Sequence, residues 1–275
     1  MADPGDVDQE AMLRLAVDLA RSAGALLLEG LHRSRTQVDT KSSRTDMVTE
    51  MDRTSEAAIV AGLRRARPDD AVLGEEGGAR AGSSGVRWII DPLDGTTNYL
   101  YGFPSFAVSI GAELDGQALL GAVHDPVHGE TFTALVGEGA RRNGQPLRVG
   151  AGVELATALV GTGFAYQAER RAAQAEVLTR VLPQVRDIRR AGAAALDLCW
   201  VACGRLDAFY EQGLAPWDRA AGSLVAAEAG AWVRAPGAGD DGLPEDLVVA
   251  CGPGLEDPLI ALLRRAHAEA GGAGA

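Results

Sequence analysis

Residues 88–98 read Trp88-Ile89-Ile90-Asp91-Pro92-Leu93-Asp94-Gly95-Thr96-Thr97-Asn98, and the rest of the chain is best read outward from them. Trp88, Ile89 and Ile90 make the apolar run of a buried strand. The run leads directly into Asp91 and Asp94, which straddle a proline that stiffens the turn between them. Gly95 then lets the backbone bend so that both carboxylates and the Leu93 carbonyl face one spot. Gly95-Thr96-Thr97 reads as the opening of a helical turn, whose unpaired N–H groups suit a phosphate. Cation ligands and a phosphate cradle are thus expected from adjacent residues. Magnesium is small and hard, prefers oxygen ligands and keeps several waters, so carboxylates on separate segments can share such ions.

Three more acidic features flank this stretch. Gly74-Glu75-Glu76-Gly77 follows the short apolar run Ala71-Val72-Leu73, Asp52 falls in the first turn of an expected helix, and Trp217-Asp218 opens another. Taken alone, an Asp-x-x-Asp is most often a solvated turn or a helix cap. The full string from Trp88 to Asn98, with Glu75 upstream and Asp218 downstream, favours a site.

Residues 8–31 carry Leu13, Ala16, Ala20, Ala23 and Leu27 at helical spacing, and a polar loop follows at 41–46. A second helix is expected from near Thr49 to Pro68, with Thr49 and Asp52 suited to its cap and first turn. Strands are expected near 71–73, 87–91, 105–113, 117–124 and 129–136. Turns at Asp115-Gly116 and Asn143-Gly144 join them into a largely antiparallel sheet. Beyond residue 150 the pattern alternates, with strands at 157–161, 186–189, 206–210 and 246–251. Helices are expected at 167–182, 192–204, 217–229 and 255–268, a turn-rich loop at 234–243, and a disordered GGAGA tail. The reading is an α+β half over residues 1–150, holding the metal and phosphate motif, and an α/β half over 151–275 that completes the site.

The bulk numbers narrow the function. The 275 residues are 47% hydrophobic and 23% charged, as in ordinary globular proteins. The acidic N-terminus lacks the order of a secretion signal, and no apolar run suits a membrane span, so a cytoplasmic protein is expected. Cys199, Cys203 and Cys251 are an odd number and read as core residues in a reducing compartment. The net charge of −12 disfavours nucleic acid and anionic membrane as partners. Handling an anionic substrate then requires local positive charge, which a bound divalent cation supplies.

Five ordered stretches carry a family resemblance. Residues 89–111 (IIDPLDGTTNYLYGFPSFAVSIG) and 213–231 (GLAPWDRAAGSLVAAEAGA) resemble the two signature motifs of the inositol monophosphatase family. Residues 41–52 (KSSRTDMVTEMD), 73–78 (LGEEGG) and 191–213 (AGAAALDLCWVACGRLDAFYEQG) also match its pattern. The resemblance is strongest to bacterial inositol-1-monophosphatases. It implies an α/β fold of α+β type, a layered α-β-α-β-α sandwich of the sugar-phosphatase kind.

By this resemblance the chain is a Mg2+-dependent phosphomonoesterase that converts inositol-1-phosphate to inositol and phosphate. Glu75, Asp91, the Leu93 carbonyl and Thr96 would surround one magnesium, and Asp91, Asp94 and Asp218 a second; a third, weaker ion leans on the same glutamate and on waters. The attacking water would be oriented by Thr96 and Glu75, with Asp52 hydrogen-bonded to the Thr96 hydroxyl. A water held by Asp218 would protonate the leaving group. Gly95, Thr96 and Thr97 would cradle the phosphate, while Glu211, Asp94 and the backbone of Ala194 would meet the phosphorylated polyol. Lithium sensitivity and a homodimer are also implied. Ala193 stands where many relatives carry serine, Arg44 where proline is common, and Tyr99 and Tyr101 where relatives vary.

Two alternatives stay open. The scaffold also serves histidinol-phosphate, fructose-1,6-bisphosphate and nucleotide phosphatases, and a second phosphate would call for a basic cluster near Glu211, with Arg205 and Arg219 as candidates. Some bacterial relatives of this kind also act as partners of the transcription machinery.

Overall fold

The apolar run ahead of Asp91 becomes the strand around which the first sheet is organised. A computed structural model describes residues 8–31, 38–40, 47–239 and 241–272. The polar loop at 41–46, Arg44 within it, and the last three residues of the expected disordered tail lie outside that range. Among the described residues no helix is long and apolar enough to cross a membrane.

In chain order the elements begin with α1 (Gln9–Gly30), β1 (Val38–Thr40), β2 (Met47–Thr49), α2 (Glu50–Ala66), β3 (Ala71–Gly74), β4 (Gly78–Arg80) and β5 (Val86–Asp94). They continue with α3 (Thr96–Tyr101), β6 (Ala107–Leu114), β7 (Gln117–Asp125), β8 (Glu130–Leu135), β9 (Gly139–Arg142) and β10 (Gln145–Pro146). The second half holds β11 (Leu159–Thr162), α4 (Ala168–Val181), β12 (Asp187–Arg189), α5 (Ala194–Ala202) and β13 (Ala208–Gln212). It closes with α6 (Pro216–Glu228), β14 (Trp232–Arg234), β15 (Leu247–Cys251) and α7 (Glu256–Gly272).

An eight-stranded sheet runs β10-β9-β8-β7-β6-β5-β3-β4, antiparallel throughout except where β3 lies parallel to β5. The expected turns are present: Asp115 and Gly116, and likewise Asn143 and Gly144, have the positive φ that two-residue hairpins require. A five-stranded sheet runs β12-β11-β13-β15-β14, with β12, β11 and β13 parallel and β15 antiparallel to both of its neighbours.

Helices stack against both sheets. Ala16, Ala20 and Leu27 of α1 and Ile59 and Leu63 of α2 pack on Trp88, Ile90, Ile110 and Leu120 on one face of the large sheet. Ala221 and Val225 of α6 meet Ala107, Val123 and Phe132 on its other face, together with Leu196 and Cys199 of α5. Leu198 and Val201 of α5 then meet Phe209, Val248 and Ala250 of the small sheet. Val177 and Val181 of α4 and Leu259 and Leu263 of α7 cover that sheet's outer face. The layers are therefore α, β, α, β and α, as the resemblance implied. Burial of each large aliphatic side chain contributes about 1.5–3 kcal/mol, which makes these seams the main source of stability.

Trp88 is fully buried and its indole N–H donates to Asp70 Oδ2 at 2.9 Å. Arg67 and Ser84 donate to the same carboxylate, so a buried charge and a buried indole satisfy each other.

The structure departs from the expected strand in one instructive way. Strand β5 does not stop at Asp91 but continues to Asp94. Its register with β6 shifts there, Asp91 facing Ser109 and Asp94 facing Ala107. One residue is therefore extra on β5, a bulge that also accommodates Pro92, which has no N–H to give a neighbour. In a regular strand, residues three apart point to opposite faces. The bulge changes that parity and lets Asp91 and Asp94 open onto the same cavity. Similarly, β13 runs to Gln212, two residues beyond the expected end at 210, so Glu211 sits in the sheet.

Candidate active site

A cavity of about 310 Å³ lies between the two sheets, lined by Glu75, Asp91, Leu93, Asp94, Gly95, Thr96, Ala194, Glu211 and Asp218 among others. Of the metal, catalytic and substrate residues that the resemblance implied, Asp52 and Thr97 are absent from this lining. Asp52 lies directly behind Thr96, and Thr97 follows it in α3.

Each side chain is delivered by a local feature. Because β3 is parallel to β5 and Gly74 pairs with Ile90, the turn after β3 emerges beside Asp91. The Glu75 N–H donates to the Ile90 carbonyl at 3.2 Å, which ties that turn to β5. Asp91 Oδ1 accepts from the Leu93 N–H at 3.0 Å within the bulge. Asp94 accepts from the N–H groups of Ala194 at 3.2 Å and Ala195 at 2.8 Å, at the start of α5. A helix N-terminus carries partial positive charge and favours a carboxylate there. Asp218 lies in the first turn of α6, and its Oδ2 accepts from the Ala215 N–H at 2.7 Å.

Gly95 has φ of 92°, a conformation that glycine adopts without a Cβ penalty, and it precedes α3. The Thr96 hydroxyl donates to Asp52 Oδ1 at 2.9 Å and also lies 3.2 Å from the Leu93 carbonyl. Both Thr96 and Asp52 are buried.

The electrostatics are those of carboxylates held together against repulsion. Burial pushes Asp91 well above the usual carboxylate range, and the charges of Glu75, Asp94 and Asp218 push it further. Asp94 is raised for the same reasons, burial first and Asp218 second, with the Ala195 N–H opposing. Glu211 is pushed up to about 7, mainly by burial, against the opposing charge of Arg190.

Such a set is relieved by a cation. Among the described residues no three His, Cys, Asp or Glu side chains form a ready-made cage for an ion. The oxygens instead lie around the cavity on separate segments, with the Leu93 carbonyl and the Thr96 hydroxyl between them. That donor set, all oxygen and incomplete, fits a small hard cation that keeps part of its water shell.

Several residues at the site went unassigned from sequence. Asn98 Nδ2 donates to the carbonyls of Ser105 and Ala191, each at 2.7 Å, and so bridges α3 to the segment before α5. Arg170 and Arg190 line the cavity. Arg205 and Arg219, the candidates for a second phosphate site, do not. Arg205 instead makes a two-pronged ion pair with Glu130, and Arg219 lines a separate groove between α6 and the large sheet. No pattern in the sequence distinguished these arginines, because their direction depends on the packing of distant elements.

Comparisons with known proteins place the chain among relatives of the same family and fold. The profile of the inositol monophosphatase family matches residues 8–269. An inositol-1-monophosphatase of Mycobacterium leprae is 48% identical over 237 residues, covering 83% of this chain and 81% of that protein. A Nus factor SuhB of Pseudomonas aeruginosa is 46% identical, covering 82% of this chain and 85% of its own. The crystal structure of the extragenic suppressor protein SuhB from Bartonella henselae superposes with a TM-score of 0.87 at 37% identity, over 93% of this chain and 99% of that one.

Proposed function

This chain belongs to the inositol monophosphatase family, and from that premise we propose that it is a Mg2+-dependent phosphatase whose substrate is inositol-1-phosphate. The observation that carries the reading is the convergence of Glu75, Asp91, Asp94, Asp218 and the Thr96–Asp52 pair on one cavity. Glu75, Asp91, the Leu93 carbonyl and Thr96 would hold one magnesium, and Asp91, Asp94 and Asp218 another. When bound, such ions neutralise the phosphoryl oxygens and stabilise both the entering and the leaving oxygen.

The protein's own groups supply position and a proton path. A hydroxyl has one proton, and at Thr96 it is directed to Asp52, the shorter and charge-assisted contact. Its lone pairs are then turned to accept a hydrogen bond from an attacking water, with Glu75 as the second acceptor. The N–H groups of Gly95, Thr96 and Thr97, at the opening of α3, suit the phosphate. Phosphoryl transfer asks mainly for such positioning and charge neutralisation.

On the polyol side, Glu211 accepts from ring hydroxyls, and Ala194 lines the wall, its N–H engaged by Asp94. Both cavity arginines already face acidic groups: Arg170 pairs with Asp246 at 2.8 Å, and Arg190 faces Glu211. That pairing favours a neutral polyol over a second phosphate. The same reading expects a cytoplasmic homodimer and inhibition by lithium.

The test is phosphate release from inositol-1-phosphate, histidinol phosphate, fructose-1,6-bisphosphate and an adenosine bisphosphate, each with magnesium, with chelator, and with magnesium plus lithium. The expected result is highest turnover on inositol-1-phosphate, lost with chelator and reduced by lithium. Preference for another ester would retire the substrate, and no hydrolysis at all would retire the enzyme reading.

The relatives named Nus factor SuhB favour a second reading, a partner of the transcription machinery. It predicts that an Asp94→Asn protein without turnover still captures RNA polymerase components.

A further inference from the structure

Helix α2 presents Asp52, Ser55 and Glu56 on one buried face, since residues three and four apart on a helix are neighbours. Asp52 and Ser55 are fully buried and Glu56 is 6% exposed. Polar groups so placed are costly unless hydrogen-bonded, and each of these meets a different segment of the site. Asp52 accepts from the Thr96 hydroxyl. The Ser55 hydroxyl donates to the Pro92 carbonyl at 2.8 Å, inside the bulge between Asp91 and Asp94. Glu56 Oε2 accepts from the Glu76 N–H at 2.9 Å, in the turn that carries Glu75.

That turn is shaped around Glu56. A Cβ added at Gly74 would lie 2.5 Å from Glu56 Oε2, and one at Gly77 would lie 2.5 Å from Oε1. Glycine on both sides therefore leaves the hollow in which the carboxylate nests. One rigid helix thus grips, from behind, the turn of Glu75, the bulge of Asp91 and Asp94, and the hydroxyl of Thr96.

We propose that Glu56, seconded by Ser55, is a positioning residue that fixes the Glu75 turn against the Asp91–Asp94 bulge and so sets the affinity for the divalent cation. The inference rests on the phosphatase reading above, in which Glu75 and Asp91 share a cation. Glu56 lies outside the cavity lining and acts through the turn. A role in folding alone would lower the melting temperature and leave cation affinity unchanged.

The experiment uses the full chain stripped with chelator and titrated with Mg2+ by calorimetry, with the Mg2+ half-saturation of phosphate release as a second readout. Glu56→Ala should weaken Mg2+ binding roughly tenfold or more, as loss of an outer partner of a metal ligand does, with kcat at saturating Mg2+ changed far less. Glu56→Gln keeps an acceptor for the Glu76 N–H and should recover most of the affinity. Gly77→Ala presses on the same carboxylate from the opposite side, at a position outside the positive-φ glycines. It should reproduce the weakening, and the double variant should be no weaker than Glu56→Ala. If Glu56→Ala does not fold, Gly77→Ala decides by itself. Folded variants with wild-type Mg2+ affinity and only a lowered Tm would overturn the inference and leave the phosphatase reading intact. Wild-type protein that binds no Mg2+ would overturn both.

Discussion

The two walls of the cavity are built in different ways. On the large-sheet side, Asp94, Thr96 and the Glu75 turn are each tied to a neighbouring segment, and Asp91 to the backbone of its own bulge, by hydrogen bonds of 2.8–3.2 Å. On the small-sheet side, Glu211 stands on β13 directly over Gly163, where an added Cβ would overlap its carboxylate. Its nearest compensation is the charge of the exposed Arg190. Chemistry requires groups that do not move, because small displacements are costly in the transition state. Recognition of a polyol tolerates a wall held by packing and one long side chain. The comparison therefore predicts large losses of turnover from one wall and losses of binding from the other.

The strongest break would come at Asp94. Asp94→Asn keeps one acceptor oxygen for the shorter bond from the Ala195 N–H, gives up the longer one from Ala194 and removes the charge, so the fold should persist. Turnover at saturating magnesium should fall on the order of 10³-fold, the scale of losing one preorganised electrostatic group. Circular dichroism alongside phosphate release checks both halves of the statement. Wild-type turnover in this variant would remove the wall's proposed role.

On the opposite wall, Gly163→Ala should act on binding. The added methyl pushes Glu211 out of its seat, and a ring hydroxyl loses its acceptor. KM for inositol-1-phosphate should rise about tenfold, the cost of one hydrogen bond to a charged group, with kcat within a few-fold of wild type. A fall in kcat with unchanged KM would show that the walls are not divided in this way.

How far the sequence foretold these walls follows the distances along the chain. Asp91, Leu93, Asp94, Gly95 and Thr96 are consecutive or nearly so, so one apolar run followed by carboxylates revealed them together. Glu75 was legible because it follows its own short strand. The bulge was not, since a proline between two aspartates reads equally as a turn. Ser55, 37 residues from the Pro92 it contacts, gave no signal, nor did the Asn98 contact across 93 residues to Ala191. Strands β4 and β14 are three-residue edges with no periodicity to detect. The order of strands and helices was legible through alternating patterns and Asx-Gly turns, and the layered stacking through the family resemblance, whereas the direction of each arginine depends on tertiary packing alone.

A smaller effect sharpens the comparison through pH. Glu211 is pushed from about 4.5 up to about 7 in the folded chain, chiefly by burial. The folded protein then keeps a proton that the unfolded chain releases, so this group's contribution is full below about pH 4.5 and is lost as pH rises through about 7. Asp91 and Asp94 are raised too and act in the same direction, so the difference between wild type and Glu211→Gln isolates one carboxylate. In chelator, the wild-type Tm should fall relative to Glu211→Gln by a few degrees between pH 4.5 and 7.5. Parallel Tm profiles would mean that Glu211 sits in a more watery wall than its packing over Gly163 implies.

Arg205 marks where the walls end. It carries a full charge and lies in the same motif stretch as Ala194 and Glu211, yet its guanidinium is committed to Glu130 at the start of β8. Burial opposes that charge while the pairing favours it, and Glu130 is correspondingly held below the usual carboxylate range, first by the Arg205 hydrogen bond. Exposed pairs of this kind contribute about 0–1 kcal/mol. Arg205→Ala should therefore lower the Tm by no more than a few degrees and leave kcat and KM unchanged for inositol-1-phosphate and for fructose-1,6-bisphosphate alike. A selective loss of the bisphosphate reaction would mean that Arg205 leaves Glu130 when substrate arrives, and the small-sheet wall would then extend to a second phosphate.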